Sequence, residues 1–165
     1  MAIHAETLRT GDISSSAEFG KKTHAAIGNI VTKLQEIPEY KDAPHKIPVG
    51  RGIFDRIASE TDFEKGGYHY FIGISYKPVS STLVTDQFEE SLQIIKHEIN
   101  NPKNKISSFL VTDFVEDQEG KLEFTDGRAA VLDHRKDPQE EAYVGEAALE
   151  KTDEILEHLL TPSNP

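Results

Sequence analysis

Tyr68, Tyr70, Ile72, Ile74 and Tyr76 alternate with His69, Phe71, Gly73 and Ser75. A period of two sustained over that length predicts a strand with one buried face. Aromatic and β-branched side chains fill a pleated surface well, so propensity agrees with pattern. Pro78 has no N–H to donate and is expected to end the strand. Beyond it Phe88, Leu92, Ile95 and Ile99 recur at three-to-four-residue spacing, which predicts an amphipathic helix. Asp86 would cap that helix, with Glu89 completing a capping box. The stretch 67–99 then reads as strand, connection and helix, and the rest of the chain must pack on it.

Taken in order, Ala2–Arg9 is a weakly patterned strand candidate. Ser15-Ser16-Ala17-Glu18 reads as a capping box, and Phe19, Ala26, Ile30, Leu34 and Ile37 mark one face of a long helix that Pro38 stops. Glu39–Lys46 reads as a polar loop. Ile47–Arg56, with Pro48, Gly50 and Gly52, reads as a kinked edge strand in preference to a short helix. Ser59–Gly66 reads as a charged loop closing on Gly66-Gly67. Ile106–Val115 carries bulky apolar groups on both faces, the mark of a central strand. Leu122–Thr125 and Arg128–Asp133 flank Asp126-Gly127, a dipeptide that favours a hairpin turn. Asp137-Pro138 would open a last helix bearing Val144, Ala148, Ile155, Leu156 and Leu159.

These elements make one α+β domain over residues 1–160, with 161–165 a flexible tail. The expected fold is an antiparallel sheet with two helices on one face, followed by an extra C-terminal hairpin and helix. The first six elements match a ferredoxin-like split βαβ order. The same chain also divides into two strand–helix–hairpin units, 2–77 and 79–133. That duplicated order resembles the small effector-binding domains related to gyrase inhibitors, a resemblance of element order that carries over no residue.

Charge narrows the partners. Residues 1–58 hold eight Lys and Arg against seven Asp and Glu, a net of +1; residues 59–165 hold ten against twenty-two, a net of −12, giving −11 for the chain. An acidic surface repels phosphate backbones, so no nucleic acid is expected, while a basic protein partner would suit it. No apolar run approaches the ~18 residues of a membrane span, so no membrane is expected. The chain has no cysteine, which removes thiolate nucleophiles and Cys-ligated metals. MAIHAETLRTGD lacks the basic-then-apolar pattern of a secretory signal, and the expectation is a cytoplasmic protein.

Chemical motifs are sparse. Ser75 lies in Gly73-Ile74-Ser75-Tyr76-Lys77, which lacks the second glycine of a nucleophile elbow. Gly50-Arg51-Gly52 lacks the third glycine of a dinucleotide loop. The seven histidines, at 4, 24, 45, 69, 97, 134 and 158, never fall within four residues of each other, so no metal and no cofactor are expected. Asp113, Glu116, Asp117 and Glu119 lack calcium-loop spacing.

The sheet's second face is the informative surface. Phe71, Phe109, Val111 and Val115 would lie on it, and large apolar patches mark binding surfaces. Gly73 leaves space beside them, so His69, Phe71, Ser75, Arg51 and Asp113 are the candidate ligand-binding residues. Catalytic residues are not assigned. Two functions compete: a non-catalytic, self-associating small-molecule- or protein-binding or regulatory module, or a small enzyme using His69 with a carboxylate such as Asp113 for proton transfer. A homo-oligomer, in the simplest case a homodimer, is expected.

Overall fold

The computed structural model describes residues 2–4, 16–45, 57–81, 85–135 and 141–161. Its strands are β1 (Ala2–His4), β2 (Ile57–Lys65), β3 (Tyr68–Ser81), β4 (Thr85–Glu98), β5 (Asn101–Asp117), β6 (Leu122–Asp133) and β7 (Glu141–Val144). Helices α1 (Ala17–Leu34) and α2 (Pro38–Asp42) precede β2, and α3 (Glu146–Leu160) follows β7. All seven strands join one open antiparallel sheet in the order β1-β7-β6-β5-β4-β3-β2. The class is α+β. From β2 to β7 each strand pairs with the next, so the sheet is a meander closed at one edge by the first strand.

Alternation decides which face each side chain joins. Tyr70 and Ile72 of β3, Leu92 and Ile94 of β4, Ile106 and Leu110 of β5, and Ala129 and Val131 of β6 are all buried on the inner face. Helix α1 lies over β5 and β6, and α3 over β6, β7 and α1. They bring Phe19, Ile27, Ile30, Leu34, Ile155, Leu156 and Leu159 to the same core. Buried hydroxyls pair across the two layers: Thr23 of α1 with Thr112 of β5 at 2.7 Å, and Thr152 of α3 with Ser108 of β5 at 2.6 Å. Thr23 also donates to Gly20 O and Thr152 to Ala148 O, which leaves Thr112 and Ser108 to donate across the layers, so none is unsatisfied in the core.

Several elements follow the sequence reading. The strand of alternating tyrosines and the central strand stand where the pattern puts them, and α1 buries the expected face. Its N-cap is Ser16, whose Oγ accepts from Phe19 N at 3.0 Å. Gly66 and Gly67, at φ 60° and 84°, form the two-residue turn between β2 and β3 that needs positive φ at both positions.

Others are corrected. The expected helix over 86–99 is β4, paired along its length to β3 on one side and β5 on the other. Two flanking strands satisfy its backbone on both edges, and Leu92, Ile94 and Lys96 point inward at the period of a strand. With that helix gone, neither the split βαβ order nor the duplicated strand–helix–hairpin order is present. Ser59–Gly66 is not a loop: Thr61 and Phe63 of β2 point inward between outward Glu60, Asp62 and Glu64. Residues after Pro38 form α2, with Pro38 in its first turn and Tyr40 buried. Strand β3 runs past Pro78, with an irregularity in register between Pro78 and Ser80. There is no hairpin at Asp126-Gly127. Strand β6 is continuous there, and an extra residue between Phe124 and Asp126 bulges it against β5. Val144 belongs to β7, and α3 starts at Glu146 after Gly145. The strand expected over 47–56 lies outside the described residues.

Candidate functional site

The outer face of the sheet carries the candidate site. On β3 the outward positions are His69, Phe71, Gly73, Ser75 and Lys77, and antiparallel pairing sets them beside His97, Ile95, Gln93, Ser91 and Glu89 of β4. Pairing continues to Phe109, Val111 and Asp113 on β5 and to Arg128 on β6. A depression of about 250 Å³ opens here, lined by Glu60, Phe71, Gly73, Ile74, Ser75, Lys77, Glu89, Ser91, Gln93 and Phe109.

Its floor follows from one small residue. A Cβ on Gly73 would come within 3.2 Å of the Phe71 ring, so that ring lies against the bare backbone of its own strand. Phe109, in the middle strand of the sheet, is 46% exposed, whereas Val111 is buried. Hydroxyls and an amide from Ser75, Ser91 and Gln93 flank these rings, with Lys77 and Glu89 3.8 Å apart at one end.

Beyond Glu89 the face becomes a charge cluster. Arg128 lies 3.2 Å from Asp113, 3.4 Å from Asp126 and 3.9 Å from Glu89, one guanidinium among three carboxylates. Burial, aided by the like charges of Glu89 and Asp126, pushes the Asp113 carboxyl up despite Arg128.

At the opposite end His69 meets Asp62 of β2 at 3.5 Å and stacks on His97 with ring centroids 4.9 Å apart. Asp113 is not its partner. His97 and Glu89 are eight residues apart on β4, which at ~3.3 Å per residue sets His69 roughly 26 Å from the Asp113 cluster.

Of the five residues singled out by sequence, Phe71 and Ser75 therefore line the depression. His69 and Asp113 lie on the same face at its two ends, and Arg51 lies outside the described residues. Ser91, Gln93 and Asp62 were missed because 86–99 and 59–66 were not read as strands. The period-two run Ser91, Gln93, Ile95, His97 was the signal for the first two.

Among the described residues no group of three or more His, Asp or Glu is arranged to hold a metal ion. No helix among them is long and apolar enough to cross a membrane. No family model matches the chain, and neither the curated proteins nor the solved structures searched contain a match.

Proposed function

We propose that this protein is a non-catalytic binding and regulatory module that works in the cytoplasm and self-associates through the outer face of its sheet. The observation that carries the reading is Phe109, 46% exposed in the central strand beside the Phe71 ring. Covering exposed apolar surface contributes ~25 cal/mol per Å², so a partner that buries the Phe109 ring gains from it. A second copy of the chain suits the patch better than a drug-sized ligand. The 250 Å³ depression falls below the ~300–1,000 Å³ of typical ligand pockets. Lys77 and Glu89, side by side at the rim, give a two-fold contact both charges it needs.

Sedimentation equilibrium at tens of micromolar tests this. A dimer that Phe109→Asp converts to a folded monomer is the expected result. Because each copy carries −11, added salt should strengthen the association. A wild-type chain that stays monomeric throughout would overturn self-association and leave a small molecule as the occupant.

A second reading, a small enzyme using His69 with a carboxylate, is favoured by one contact, His69 to Asp62 at 3.5 Å. There His69→Ala abolishes turnover, whereas in the binding module it leaves only an altered affinity.

A further inference from the structure

A second cavity, of about 130 Å³, lies on the inner face between the sheet and α3. Lys96 of β4 and Ile106 of β5 line it from the sheet, Ile155, Glu154, Glu157 and His158 from α3, and Arg135 from the segment after β6. Lys96 is the unusual member. It is 4% exposed, yet among the described residues it enters no ion pair. Its Nζ rests instead over the Tyr68 ring, 4.1 Å from the centroid, and 5.8 Å from that of Tyr70. Burial, with Tyr68 close by, pushes the Tyr70 hydroxyl up to about 12, so that ring is a neutral phenol and supplies no counter-charge.

Two of the charged groups lining the cavity are committed elsewhere, and among the described residues none forms an ion pair with Lys96. Arg135 donates to both oxygens of Asp133, at 2.9 and 2.8 Å, and Glu154 is paired with Lys151 at 2.9 Å. Buried lysines ordinarily take a carboxylate partner, because an unpaired buried charge is costly. Here the fold offers an amine two aromatic faces and open space.

We infer that Lys96 is a carbonyl-capturing amine, forming a reversible imine with a small aldehyde or ketone admitted to this cavity. The Nζ lone pair adds to the carbonyl carbon, and the carbonyl oxygen takes up protons and departs as water. The product is a C=N bond, with no redox change and no co-reactant. Protonated, the imine keeps its positive charge over the Tyr68 face that held the ammonium.

The reaction needs the neutral amine, and the surroundings favour it: burial first, then the positive charge of Arg135, hold the Lys96 ammonium below the usual lysine range. Those are the two means by which amine nucleophiles are activated. Volume sets the substrate class. A cavity of ~150 Å³ takes benzene, so about 130 Å³ admits a carbonyl compound of roughly six non-hydrogen atoms or fewer. This site is on the other face of the sheet from the Phe71–Phe109 depression and stands independently of the function proposed there.

Reductive trapping tests it. The intact protein is treated with propanal and cyanoborohydride at neutral pH, and each lysine is quantified by peptide mapping. Lys96 should be alkylated faster than the exposed Lys21 and Lys121 by on the order of tenfold. A naphthaldehyde, too large for the cavity, should reverse that order. Alkylation of Lys96 no faster than at the exposed lysines overturns the inference, as does equal labelling of Lys96 by both aldehydes. Both measurements use the wild-type chain, so no variant need fold. Lys96→Arg, which keeps the charge but not the amine, should then lose the fast-reacting site.

Discussion

Gly127 of β6 and Gly20 of α1 meet backbone to backbone: a Cβ on Gly127 would stand 2.5 Å from Gly20 Cα, and one on Gly20 would stand 2.7 Å from the Asp126 carbonyl oxygen. Neither glycine has positive φ, so close approach, not turn geometry, accounts for them. The atoms in the way are backbone and cannot swing aside. Gly127→Ala should cost about 1–3 kcal/mol, the range for overpacking, read as a lower denaturant midpoint with unchanged slope.

The same helix provides its own control. A Cβ on Gly28 would meet nothing within 4 Å, and the residue is exposed. Gly28→Ala should stabilise by about 0.5–1 kcal/mol through helix propensity. At Gly20 the same gain is offset by the clash with Asp126, so Gly20→Ala should destabilise. Thermal unfolding of the two variants should shift in opposite directions.

Leu34, at the end of α1, is fully buried among the core residues. Leu34→Ala should cost about 2–5 kcal/mol in chemical denaturation. A loss within ~0.5 kcal/mol, usual for surface positions, would contradict the packing of α1 on the sheet.

Asp133 is buried and grips Arg135 through two side-chain hydrogen bonds. Burial alone would raise its pKa, but the hydrogen bonds and charge of Arg135 outweigh it and hold the carboxyl below the ordinary range. A lowered folded pKa contributes stability above the unfolded value, about 3.9, and that contribution is lost as pH falls through the folded value. Asp133→Asn should cost about 1.5–3 kcal/mol at neutral pH. The difference between the two proteins should shrink as urea titrations are repeated below pH 4.

Twenty-nine acids outnumber eighteen bases, so the chain should ignore random duplex DNA at physiological salt. A gel shift that disappears on adding salt would contradict this.

The sequence was most legible where one period ruled. Strands β3 and β5 and helix α1 each show a single alternation, and the outward positions of β3 and β5 located Phe71, Ser75 and Phe109 in advance. Strand β4 was illegible because its residues satisfy both periods. Phe88, Leu92, Ile95 and Ile99 make a helical stripe, while Leu92, Ile94 and Lys96 alternate inward. Only pairing with two flanking strands decides between them, and that is a tertiary fact. Asp126-Gly127 misled for a related reason. A glycine required by a neighbouring helix looks, in one dimension, like a glycine required by a turn.

The position of β1 has a consequence for the order of assembly. Strands β2 to β6 each find their partner next in line and can zip together as they are synthesised. Strand β1 pairs only with β7, so His4 must wait for Glu141. At ~5–20 residues per second, the intervening 136 residues take about 7–27 s to translate. For that interval β1 has no strand to pair with, so this edge of the sheet closes only after the rest of the meander has been made.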